Sequence, residues 1–312
     1  MYHASKHYDG EFLLGAFNLG YAGVDIFFVL SGFVIALSQN GKKEEFRIGR
    51  FLISRFARIY PSYWVFLFIP LAILGLFLPN YSPSPAAFLE WDIILTFLLF
   101  FGHPVISQVT WTLSYELFFY TIFGVLFKFK KLKLLLVYAV VILILLLSVN
   151  IYKFDILKYI FNPIILEFLG GVSIFHFLNR YQGNSILSYF LLVLGFTMFL
   201  ISMGQFWGDF NQREFRFIFF GLPAIIVIYS LGFLETNGFL NFNQSILTKL
   251  GDASYVMYLI HSPILSFTAL FLPIHYYQLG MIGMFVGVSF LSLFLFNWVD
   301  KPLYIYLKRA MR

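Results

Sequence analysis

The chain has no cysteine. That excludes thiol nucleophiles, disulfide frameworks and zinc sites built on thiolate. It is also poor in charge. Asp, Glu, Lys and Arg make up 12% of its 312 residues, whereas soluble domains carry about 25%. So few charges cannot cover a water-facing surface of that size. A soluble globular enzyme, a disordered chain and a coiled coil are all excluded. There is no Walker loop, no G-x-S-x-G, no H-E-x-x-H and no G-x-G-x-x-G fingerprint. The six histidines are scattered, so no metal site is visible. Residues 1–19 contain Lys6, Asp9 and Glu11 and do not read as a signal peptide. Neither an internal repeat nor a low-complexity segment is present.

What the chain has is apolar. Residues of the AVILMFWYC set reach 60%, and the 43 Phe exceed what an ordinary core holds. Lys plus Arg outnumber Asp plus Glu by 21 to 15. In a membrane protein that excess first reports topology. No nucleic-acid partner is expected, because the basic residues are dispersed between apolar segments. The expected fold class is all-α, a polytopic helical bundle in the membrane.

A spanning helix needs about 20 mostly apolar residues. The segments 20–38, 57–79, 109–127, 134–152, 159–179, 186–207, 217–234, 253–272 and 279–299 qualify, giving about nine spans. The run 253–299 lacks Asp, Glu, Lys and Arg and is split at Pro273, His275 and Gly280. Lys42, Lys43, Arg47, Arg50, Arg55 and Arg58 place the loop 39–58 on the cytoplasmic side. Lys128, Lys130, Lys131 and Lys133 place 128–133 there too. An even number of crossings separates them, so the short patch 93–101 is re-entrant or interfacial. Parity then puts 153–158, 208–216 and 273–278 outside. It puts Arg180, Lys249 and the tail with Lys301, Lys308, Arg309 and Arg312 inside. Lys153, Lys158, Arg213 and Arg216 fall outside, against the trend. Span 20–38 would run inward with nothing before it, so the expectation is an upstream start and a first helix cut short near Met1.

Ionisable residues inside spans each cost roughly 2.5–3.5 kcal/mol on insertion scales. Glu116 stands amid Trp111-Thr112-Leu113-Ser114-Tyr115 and Leu117-Phe118-Phe119-Tyr120, and Tyr120 shares its face one turn on. It is either a structural carboxylate or a functional one. Asp25 lies near the outer interface, two turns from Gly32, whose missing side chain lets another helix approach. Structural and functional readings are both open for it. Arg55 and Arg58 lie one turn apart at the inner end of a span. They are either anchors or a site for a phosphorylated ligand, since Arg meets phosphate in bidentate geometry. Pro61, after Tyr60, suits the start of a helix. His261 lies mid-span, either bonded to a neighbour or handling protons. Glu167, His176 and His103 read more simply as structural. The pair Gly170-Gly171 reads as a helix contact.

Together these residues resemble the membrane-bound acyltransferase family 3, bacterial O-acyltransferases of the surface-polysaccharide O-acetyltransferase type. Met1-Tyr2-His3-Ala4 is similar to the end of that family's first helix, and Gly23 through Phe33 to its second-helix signature. Arg55-Phe56-Ala57-Arg58-Ile59-Tyr60-Pro61 resembles its basic entry to helix three. Trp111-Thr112-Leu113-Ser114-Tyr115-Glu116 resembles its Trp-Ser-Leu-x-x-Glu block, with Thr112 for Ser. Leu250 through Tyr255 with His261, and Asp300-Lys301-Pro302, resemble its late helix and closing block. The order of the blocks covers almost the whole chain. The family's first-helix Arg has no position here.

The resemblance implies a single transmembrane acyltransferase domain in the bacterial cytoplasmic membrane, multi-pass and surrounded by lipid. It implies acyl-CoA, specifically acetyl-CoA, as donor and a hydroxyl of a glycan or lipid-linked saccharide as acceptor, with no metal. His3 is then the general base, and Glu116 orients or charge-balances an imidazole. Arg55, Arg58 and Tyr60 bind the donor. Trp111 and Ser114 shape the pocket, with Asp25 and His261 contributing to binding. The competing expectations are a transporter or flippase for a lipid-linked glycan, and an inactive truncated relative.

Overall fold

A computed structural model describes residues 22–39, 46–77, 94, 97–99, 110–131, 133–146, 155–180, 183–205, 215–241, 246–271 and 277–310. Every regular element among them is helical. This follows from composition, because a backbone in hydrocarbon must satisfy its own hydrogen bonds within the segment. In chain order the helices are α1 (Ala22–Leu37), α2 (Ile48–Phe77), α3 (Thr110–Lys128), α4 (Leu134–Leu146), α5 (Asp155–Ile160), α6 (Ile164–Arg180) and α7 (Ser185–Gln205). A π-helical turn (Phe217–Gly221) leads into α8 (Leu222–Thr236). Then come α9 (Ile246–Asp252), α10 (Ser254–Phe271) and α11 (Tyr277–Leu295). A second π-helical turn (Phe296–Asp300) leads into α12 (Lys301–Ala310). Among the described residues, 3 helical stretches are long and apolar enough to cross a membrane: Ser185–Ser202, Phe217–Thr236 and Ile282–Ala310.

The helices match the apolar segments closely, with three departures. First, α2 begins at Ile48 rather than near 57. Its Arg residues are good helix formers, so the helix runs back out of the apolar stretch, and Pro61 lies inside it instead of opening it. Second, the segment 159–179 is two helices. Pro163 has no N–H and interrupts the ladder. Asn162 then caps α6, accepting the Ile164 N–H on its side-chain oxygen at 3.0 Å. Third, the last span does not stop at 299 but continues through the second π-helical turn into α12. Pro273 and His275 lie outside the described residues, and Gly280 belongs to α11 rather than to the break.

Two helix ends use the same closing motif. After α8, Phe239 N–H donates to the Leu234 carbonyl at 2.8 Å and Gly238 N–H to that of Glu235 at 3.1 Å. Gly238 takes φ +76° there, where a side chain is disfavoured. After α3, Lys131 N–H reaches Leu126 at 2.8 Å and Lys130 N–H reaches Phe127 at 3.0 Å. There the left-handed position is held by Lys130 at φ 54°, a strained choice.

The described residues form two compact units. Those within 49–118 and 243–312 make the first, and those within 18–48 and 119–242 the second. In the second unit α1 crosses α6 at backbone contact. A side chain on Gly32 would strike the Phe168 carbonyl, and one on Gly171 would strike the Val29 carbonyl and the Phe33 amide. The expected close approach at both glycines is therefore present, and it is reciprocal. Around it Val29, Ile174 and Ala224 form a buried cluster. Phe168 stacks on Phe119 with ring centroids 3.5 Å apart.

Candidate active site

In the first unit α2, α3, α10 and the end of the second π-helical turn bring buried polar residues together. Arg58 on α2 donates from Nη1 to Asp300 Oδ2 at 2.6 Å. Ser62, one turn further along α2, donates to the other oxygen, Oδ1, at 2.5 Å. Asp300 is 1% exposed and the Arg58 side chain 34%. Two tyrosines flank the guanidinium: its carbon lies 5.3 Å from the Tyr255 ring centre and 5.7 Å from that of Tyr304. Asp300 and Tyr304 are one helical turn apart and share a face. Tyr255 is itself fixed, donating its hydroxyl to the Ile59 carbonyl at 2.8 Å.

Glu116 is buried on α3, as are Thr112, Ser114 and Tyr115. Tyr255 and Tyr258 of α10 lie near its carboxylate. The Tyr258 hydroxyl is hydrogen-bonded to Thr112. His261, one turn beyond, donates Nδ1–H to the Tyr258 carbonyl at 2.7 Å. In the neutral ring this puts the basic lone pair on Nε2. Carboxylate, phenols and imidazole thus come from two helices, set by the one-turn spacing of 112 and 116 and of 255, 258 and 261.

Of the residues singled out by sequence, Arg58, Glu116, Ser114 and His261 belong to this unit and to these facing helices. Arg55 lies one turn before Arg58, its guanidinium 5.6 Å from the Phe51 ring centre. Tyr60 lies on α2 as well. Its hydroxyl donates to the Leu98 carbonyl at 2.7 Å, and Trp64 Nε1 donates to Phe97 at 3.2 Å. Tyr60 and Trp64 therefore fasten the short patch around 97–99 to α2. Trp111 packs edge-on against Tyr115 at 6.0 Å. His3 and His103 lie outside the described residues. Among the described residues no three His, Asp or Glu gather as a metal site.

Asp25 belongs to the second unit. Fully buried, it receives Arg216 Nε on Oδ1 and Arg216 Nη2 on Oδ2, both at 2.8 Å. Glu167 of α6, also fully buried, lies beside this pair. Its side chain presses on the first π-helical turn, where a side chain on Gly221 would come within 2.8 Å of Glu167 Cγ. His176 is on the exposed side of α6.

Sequence reasoning missed two partners. Asp300 stood in a quoted block without a role, though it is a lone acid closing an apolar run. Arg216 counted against the topology. A cation on the side where cations are rare is itself a sign of an ion pair, and that signal was available.

The family model described as an acyltransferase domain matches residues 1–298. The exopolysaccharide production protein ExoZ of Rhizobium meliloti (strain 1021) is 29% identical over 285 residues, covering 86% of this chain and 82% of that protein. The peptidoglycan O-acetyltransferase OatA of Listeria monocytogenes is 31% identical over 121 residues, 33% of this chain and 19% of that protein. Protein 2 in the picA locus of Rhizobium radiobacter is 48% identical over 64 residues, 18% of this chain and 34% of that protein. No solved structure matches. The chain belongs to the membrane-bound acyltransferase family 3 and is a membrane acyltransferase.

Proposed function

We propose, with membership of that family as the premise, that this enzyme transfers an acetyl group from cytoplasmic acetyl-CoA to a hydroxyl of a cell-envelope glycan or glycolipid. The names of ExoZ and OatA support a glycan acceptor. One observation carries the donor reading. Arg58 is held at a single nitrogen, between two tyrosine faces, and is a third exposed. Among the described residues its other N–H groups meet no protein acceptor. A guanidinium fixed this way presents an oriented fork to a phosphate. By the positive-inside reading Arg58 sits at the inner face of a multi-pass protein in the bacterial cytoplasmic membrane, where a polyanionic acyl-CoA must stay.

In the reaction the acceptor oxygen attacks the thioester carbonyl. A C–O bond forms and the C–S bond breaks. The hydroxyl proton goes to a general base, and the departing CoA thiolate takes up a proton to leave as CoASH. His3 is proposed as that base. Glu116, buried beside Tyr255 and Tyr258, orients or charge-balances an imidazole. The acyl group moves along a protein-lined path, since polar groups cannot face hydrocarbon.

The test is the enzyme in lipid nanodiscs with radiolabelled acetyl-CoA and extracted envelope polysaccharide. Labelled, alkali-labile polysaccharide and free CoA should appear together. Neither product forming would reject the reading. Transport of a glycan without release of CoA would favour a flippase. In the same assay His3→Ala should abolish transfer while leaving membrane insertion intact.

A further inference from the structure

Asp300 has no role in the reaction as described so far. It is buried, it closes a π-helical turn, and both of its oxygens are engaged by α2: Arg58 on one at 2.6 Å, Ser62 on the other at 2.5 Å. A π-helical turn inserts one residue into the helical register and is common at functional sites. Here the turn delivers Asp300, and one helical turn later Tyr304, to the same guanidinium.

Two effects of this carboxylate on a bound anion oppose each other. Its negative charge repels a phosphate and weakens binding. Its hydrogen bond removes the rotational freedom of a long side chain, so less ordering remains when ligand arrives. The geometry favours the second effect. Two donors share the Asp300 charge, and its burial leaves it no water to turn to. Arg58 is therefore fixed at one corner, while its remaining N–H groups meet no protein acceptor among the described residues.

We infer that Asp300 is a positioning residue for the acyl donor, which with Ser62 and the two flanking tyrosines aims the open edge of Arg58 at a phosphate of acyl-CoA. This rests on the donor role of Arg58 proposed above. The positioning acts on donor binding and not on the chemical step.

The experiment measures KM for acetyl-CoA and kcat for wild type, Arg58→Ala, Asp300→Asn, Asp300→Glu, Ser62→Ala and the Arg58→Ala/Asp300→Asn double variant in nanodiscs. A thermal unfolding curve and the binding of CoA accompany each. Arg58→Ala should raise KM roughly 10- to 100-fold, the range for losing charge-assisted hydrogen bonds. Asp300→Asn should raise it about 10-fold with kcat unchanged, and the double variant should be no worse than Arg58→Ala. Asp300→Glu, which keeps the charge, should recover part of the loss. A purely structural Asp300 would lower the unfolding temperature and the active fraction but leave KM alone. Tighter CoA binding in Asp300→Asn would mean that repulsion dominates, and would overturn the inference. Should Asp300→Asn not be recovered folded, Ser62→Ala decides: a rise in KM of about 3-fold supports positioning, and an unchanged KM overturns it. Unchanged CoA affinity in Arg58→Ala instead rejects the donor reading beneath it.

Discussion

In the first unit Arg58 gives Asp300 one nitrogen at 2.6 Å, and in the second Arg216 gives Asp25 two at 2.8 Å. Each pair joins residues far apart in sequence, and each adjoins a π-helical turn. Asp300 ends one turn, and Arg216 directly precedes the other. The chemistry is the same but the use differs. Asp25 meets its cation through both oxygens, and Glu167 is buried beside the pair. Asp300 shares its oxygens between a serine and an arginine that stays a third exposed. A guanidinium engaged through two nitrogens by one carboxylate holds helices together, and one that gives its carboxylate a single nitrogen keeps a third of its side chain exposed.

The comparison breaks most readily at Arg216. Arg216→Ala leaves a fully buried Asp25 beside Glu167 with no cation, and should cost about 3–5 kcal/mol of stability. Denaturant unfolding in detergent reads the loss. KM for acetyl-CoA in the surviving folded fraction should be unchanged, and a shifted KM would make the second pair a ligand site as well. Gly171→Ala comes next. Its new methyl meets backbone atoms of α1 that have no rotamer to yield, so about 1–3 kcal/mol should be lost. An equally stable variant would mean that the α1–α6 crossing is looser than described. Glu167→Gln sharpens the picture, because it removes a second carboxylate from beside Asp25 and keeps the shape. Stability should change by less than about 1 kcal/mol, and a loss as large as that of Arg216→Ala would make the Glu167 charge part of the pair. Smallest of all, Lys130→Gly should raise stability by about 0.5–1 kcal/mol by relieving a left-handed lysine. No gain in unfolding temperature would show that the lysine side chain earns its place there.

Most of the helices were visible in the sequence, because lipid requires long uncharged stretches and hydropathy registers them directly. The glycine contact was visible for a related reason, since small residues in spans have few other uses. The boundaries that failed lay where hydropathy is silent. Arg-bearing turns extend α2 beyond its apolar part, and one Asn-Pro pair divides α5 from α6. The candidate site was half readable. Arg58 and Glu116 stand out as charges among apolar neighbours. Their surroundings do not, because Asp300 lies 242 positions from Arg58 and Tyr255 lies 196 from Ile59. No local pattern encodes such separations. The resemblance makes Tyr60 a donor contact, and in the structure its hydroxyl bonds the Leu98 carbonyl, a partner 38 positions away that no local pattern encodes.

The second π-helical turn has an evolutionary corollary. Losing a single codon between 296 and 299 would swing everything after it by about 100° around the helix axis. Composition and the span count of the gene product would hardly register the event. Yet the aspartate would face away from its arginine. Two chains with indistinguishable hydropathy plots would then differ at this ion pair through one inserted residue, and an alignment that treats a gap there as harmless would misjudge them.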